Sequence, residues 1–126
     1  MASPRDPLAV FGDKHIEAVA GEFDVEPDRL CTLTRRHQES VRDLPGVEDI
    51  VYEWRNQFHQ DPLVHRDTEA YVLALRDHVW AEFADHLDLR DAHLAALRAL
   101  HDTQARALAV DTARFDEADA VVLTRP

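Results

Sequence analysis

A chain of 126 residues, 45% of them hydrophobic and 31% charged, holds enough apolar material for one core and is too short for two full domains. Its net charge of -11 is spread along the chain instead of gathered in a tail, which weighs against broad, nonspecific binding to phosphate backbones. No apolar run approaches the roughly 20 residues of a bilayer crossing, the start lacks the regions of a secretory signal, and the lone Cys31 offers no internal disulfide or CxxC pair, so a cytoplasmic protein is expected.

Residues 1–12 carry Pro4, Pro7 and Gly12 and read as a flexible lead-in to a single domain over 13–126. Asp13 is placed to cap a first helix, in which Ile16, Val19, Ala20 and Phe23 recur on one face. A second helix is expected to start at Pro27, whose fixed φ suits the first helical position, with Val25 set to staple against Leu30. Its apolar face is Leu30, Leu33, His37, Val41 and Leu44, and Pro45-Gly46 ends it. The two helices form a hairpin.

Beyond Gly46 the period changes to two. Ile50, Tyr52, Trp54 and Phe58 alternate with Glu53, Arg55 and Gln57, which predicts a strand. Residues 57–61, closed by Pro62, read as a turn or loop. Residues 69–75 suit a second strand, with Tyr71, Leu73 and Leu75 on one face, although the same segment also fits the opening of a long helix. Asp77 is a candidate cap for a helix bearing Val79, Trp80, Phe83 and Leu87, and Asp88 for a further one over 89–108 with Leu94, Leu97, Leu100 and Leu108. Residues 120–124 are a candidate C-terminal strand. The expected fold is α+β: an N-terminal helical hairpin, a short antiparallel sheet, two further helices and that last strand.

Short motifs with enzymatic echoes lack their context. Asp116-Glu117-Ala118-Asp119 spells a helicase box, but the chain has only three glycines and no phosphate-cradling loop. His65-Arg66-Asp67 imitates a kinase catalytic loop, yet Val72 stands where that loop needs its metal-binding Asn.

Among the eight histidines, His78, Glu82 and His86 step along one helix at four-residue spacing, a candidate metal set that His93 or His101 would complete. The bland reading is a solvated helix face. His59, Asp61, His65 and Asp67 form a second cluster with acid–base or metal potential, or simply solvated loop residues. Cys31, between Leu30 and Leu33, reads as a partly buried, inert thiol.

The two-helix opening loosely fits a helix-turn-helix pattern in which Arg29, Arg35, Arg36 and Arg42 would meet phosphates or base edges. Asp24 stands where a turn glycine is common, and Asp28, Glu39 and Asp43 dilute the basic face. Tyr52, Trp54, Phe58 and Trp80 are candidates for an aromatic pocket or interface, the alternative being that they are core.

The manner of the acidity is informative. Asp outnumbers Glu, and Lys14 is the single lysine beside many arginines. Together with abundant Ala and Val, this points to extreme halophily, in which carboxylates keep the surface hydrated and short screening lengths suppress self-repulsion. A high-GC genome would leave a similar trace.

The stretch Leu44-Pro-Gly-Val-Glu-Asp-Ile-Val-Tyr-Glu-Trp-Arg, with Asp77-His-Val-Trp-Ala-Glu-Phe and the lysine-poor surface, resembles small uncharacterised proteins of haloarchaea, a family of unknown function. That resemblance implies a setting and no activity. The expectation is a non-enzymatic cytoplasmic interaction or accessory protein without a cofactor, acting on a protein partner or by self-association. A small DNA-associated regulator is the alternative, and a metal-binding protein or enzyme the third reading.

Overall fold

The computed structural model describes residues 3–43, 45–76 and 78–126. The sequence expectations for Leu44 and Asp77 lie outside them. Helix α1 (Asp13–Glu22) and helix α2 (Pro27–Asp43) form the N-terminal hairpin, followed by α3 (Val47–Gln57), strands β1 (Leu63–Arg66) and β2 (Ala70–Leu75), helices α4 (His78–Leu87) and α5 (Asp91–Leu108), a 3₁₀ turn at Ala113–Asp116, and β3 (Asp119–Thr124). The sheet order is β1-β2-β3, antiparallel throughout. The expected α+β architecture holds, including its C-terminal strand.

One element differs in kind. The segment expected as a strand over 50–58 is helix α3. Its alternating aromatics mimic a period of two, but Val47, Val51 and Trp54 recur at i, i+4 and i+7, and these are the buried positions. Tyr52, which a strand would place beside Trp54, is instead 70% exposed. Gly46 supplies the N-cap with φ 108, a conformation that disfavours any side chain. Glu48 and Asp49 in the first turn and Arg55 in the last complement the helix dipole.

The first strand lies instead at Leu63–Arg66, where the sequence showed only the far side of a loop. Asp67 turns the β1–β2 hairpin, its carboxylate accepting the Glu69 and Ala70 amides at 2.7 and 2.8 Å.

Two expected caps shift. Gly12, not Asp13, is the N-cap of α1, and its N–H donates to Gln104 Oε1 at 2.9 Å. Asp88 does not cap α5, whose N-cap is Arg90. It ends α4 in the left-handed region with φ 53, while the Leu89 amide reaches back to the Ala84 carbonyl at 3.0 Å. Asp24, with φ 54, ends α1 in the same way.

The pleat divides the core. Ala70, Val72, Ala74, Ala120 and Val122 face a cluster with α1, Leu30, Phe115 and the Ala96–Leu100–Ala105 stripe of α5. Val10 and Phe11, from the lead-in, are buried in that cluster. The alternate residues Tyr71, Leu73, Leu75, Val121 and Leu123 face α3 and α4, with Trp54, Val79 and Trp80.

Among the described residues, the outer edge of β3 is buried without a fourth strand. Side chains from three helices serve its backbone groups: Trp80 Nε1 donates to the Ala120 carbonyl at 3.1 Å, and His101 Nδ1 accepts the Val122 amide at 3.0 Å. Gln38 donates to the Val122 carbonyl and accepts the Thr124 amide, both at 2.8 Å. Buried strand edges require such partners. Among the described residues no helix is long and apolar enough to cross a membrane.

Candidate functional site

An open cleft of about 480 Å³ lies between α3 and the β1–β2 hairpin. Helix α3 contributes Tyr52, Arg55 and Asn56 from its outward face, the loop after it Phe58, His59 and Asp61, and the hairpin Leu63, Arg66 and Tyr71. The cleft exists because α3 buries Val51 and Trp54 against the sheet and turns the intervening residues outward.

Its carboxylates are engaged internally. Arg55 grips Asp61 at two points, 3.1 and 2.9 Å, and the Leu63 amide donates to the same carboxylate at 3.0 Å. The Arg55 hydrogen bond is the main cause holding the Asp61 carboxyl below its usual range. Glu48 accepts the Tyr71 hydroxyl and lies 3.5 Å from Arg125, whose guanidinium covers the Tyr71 ring at 4.8 Å. Burial, followed by the neighbouring Glu48, pushes the Tyr71 phenol up. A phenol so held is a structural donor at neutral pH.

The aromatic candidates therefore divide. Tyr52 and Phe58 line the cleft, whereas Trp54 and Trp80 are core. Of the second histidine cluster, His59 and Asp61 belong to the cleft, while His65 pairs with Asp67 at 3.0 Å on the hairpin.

The four arginines of α2 do not share one free face. Arg35 reaches Asp6 at 3.4 Å, Arg36 donates to the Leu87 carbonyl at 2.8 Å and so caps α4, and Arg42 has Nε and Nη2 buried. Arg29 is exposed beside Glu26 and Asp28. Helix α2 itself contacts α1, α3, α4 and α5 and buries Leu30, Leu33, Thr34, His37, Gln38 and Val41. A recognition helix must protrude into a groove. This one packs against four other helices.

His78, Glu82 and His86 are all exposed on α4. Among the described residues no three His, Cys, Asp or Glu side chains gather in a geometry that would hold a metal ion. Of the two candidates for a further ligand, His93 and His101, the latter points into the core, where its ring meets Trp80 at 4.8 Å and His37 at 4.9 Å. Cys31 is half-buried, and burial, followed by Asp28, raises its thiol, as suits an unreactive side chain.

Sequence reasoning missed the polar set His37, Gln38, His101 and Gln104, all buried. One signal was present, since His37 already falls on the apolar face of α2. The cleft was half visible, through Tyr52 and Phe58. Its other wall was not, because the segment carrying them was read as a strand.

No curated protein matches the chain, and no solved structure does. A family model does match, across residues 9–125, and its span takes in every helix and strand described above together with the cleft. The chain thus belongs to the family described as Domain of unknown function (DUF8048).

Proposed function

We propose that the chain is a non-enzymatic interaction protein of the cytoplasm of a halophilic archaeon, and that it meets its partner at the cleft between α3 and the β1–β2 hairpin. The observation that carries this reading is Tyr52, a large aromatic 70% exposed at an open cleft whose walls include Arg55, Arg66 and Phe58. Tyrosine and arginine beside a concavity are the composition of binding hot spots. The internal pairing of Arg55 with Asp61 and of Tyr71 with Glu48 supports binding over catalysis, since neither carboxylate is left poised as a base.

A photo-crosslinking residue at position 52 tests the reading in a haloarchaeal extract at multi-molar KCl. We expect a discrete adduct from position 52 and none from the exposed control position Glu17 on α1. An adduct of twice the mass of the chain would identify a second copy as the partner. Identical or absent products at both positions would overturn the proposal.

The halophilic setting is supported by 25 acidic against 14 basic residues with a single lysine. Screening shortens to about 3 Å at 1 M salt and relieves repulsion among surface carboxylates. The midpoint of thermal unfolding is expected to rise by about 4–8 °C between low and molar KCl, the shift that about 1–2 kcal/mol produces in a domain of this size. A midpoint indifferent to KCl would favour the genomic explanation of the composition.

A further inference from the structure

Among the described residues the cleft between α3 and the hairpin holds an unengaged cation, Arg66, and no unengaged carboxylate, although the chain as a whole is acidic. Asp61 is taken by Arg55, and Glu48 by Tyr71 and Arg125. Among the described residues, the Arg66 guanidinium, the Asn56 amide and the His59 ring line the cleft without an ion pair or hydrogen bond of their own. A cleft with its carboxylates neutralised and its donors free is complementary to negative charge.

The walls add a shape requirement. The exposed Tyr52 ring and the half-buried Phe58 ring offer flat apolar surfaces, which favour a stacked planar group. Arginine presents a planar fork that meets two oxygens of a carboxylate or phosphate at once. At high salt the repulsion from distant carboxylates is screened while a contact bond of this kind persists.

We infer that the cleft binds a small planar organic anion, a ring bearing a carboxylate or phosphate, with the anionic group on Arg66 and the ring against Tyr52. This rests on the reading of the cleft as the binding surface. Carboxylate and phosphate ligands share the recognition chemistry, and the probes separate them.

Naphthoate, naphthyl phosphate and the neutral naphthalenemethanol are each titrated into isotope-labelled protein, following the backbone amide resonances of residues 47–57 and 63–66. At least one anionic probe is expected to shift those resonances and to bind about tenfold or more tightly than the neutral one, as suits a charge-assisted contact. Whichever anion binds more tightly names the group. Arg66 is exposed, so Arg66→Gln should fold, and it should remove the anionic preference while leaving the neutral probe unchanged. Equal binding of neutral and anionic probes would overturn the anion assignment and leave the cleft standing as a binding surface. Anionic binding indifferent to Arg66→Gln, or no shift with either anion, would also overturn it, and crosslinking from position 52 then judges the cleft separately.

Discussion

Gln38→Leu is expected to destabilise the fold by about 2–6 kcal/mol, because it strands two buried backbone groups at about 1–3 kcal/mol each. The Gln38 side chain is 1% exposed and bridges the Val122 carbonyl and the Thr124 amide. Leucine has a similar volume, so packing alone would change little. The two groups belong to the outer edge of β3, where neither water nor another strand can replace the lost partner. Denaturant unfolding at a fixed KCl concentration measures the effect through the shift in midpoint. A loss below about 1 kcal/mol would show that the edge is not sealed by this amide.

That edge also explains how far the sequence could be read. Helix α2 was legible from Pro27 and the periodicity of its apolar stripe, and β2 and β3 as short apolar runs, although the β2 run fitted the opening of a helix as well. The reason for Gln38 was not legible, since a glutamine beside an apolar stripe looks the same whether it faces solvent or a strand from the other end of the chain. Its partners, Val122 and Thr124, stand 84 and 86 residues away.

The α3 error has a different origin. Tyr52 and Trp54 are both large and aromatic, and alternation counts them alike. Only tertiary packing places Trp54 at 7% exposure and Tyr52 at 70%, and that difference is what makes Tyr52 a site residue. Reading the segment as a helix from Val47, Val51 and Trp54 would have set Tyr52 on the outer face and pointed to the cleft.

Lowering the pH from 7 to 5 is expected to destabilise the protein through His37 and His101. Both rings are fully buried among Phe11, Trp80 and Phe83, with the Gln38 amide and the Val122 backbone as their polar neighbours. Gln38 is oriented by its two strand contacts, so its nitrogen faces His37 Nδ1 at 3.2 Å, and His101 Nδ1 accepts the Val122 amide. Both rings are thus neutral with the proton on Nε2, an atom that in each case has no conventional acceptor.

Desolvation lowers His37 to about 3, and desolvation together with the charge His37 would carry lowers His101 well below its usual value. The unfolded chain protonates both near pH 6.5 while the folded one does not, so unfolding takes up protons and stability falls as pH falls. The full contribution is present above about pH 6.5. Below it, each ring removes up to about 1.4 kcal/mol per pH unit until its folded pKa is reached. Together they give a slope of up to about 2.7 kcal/mol per unit near pH 5. His37→Phe keeps an aromatic ring among Trp80, Phe83 and His101 and is expected to halve that slope, with a loss of about 1–3 kcal/mol at pH 7 because the Gln38 N–H loses its acceptor. Unfolding free energies that stay level between pH 7 and 5, or a variant whose slope matches the parent, would mean that these rings find their protons without opening the core.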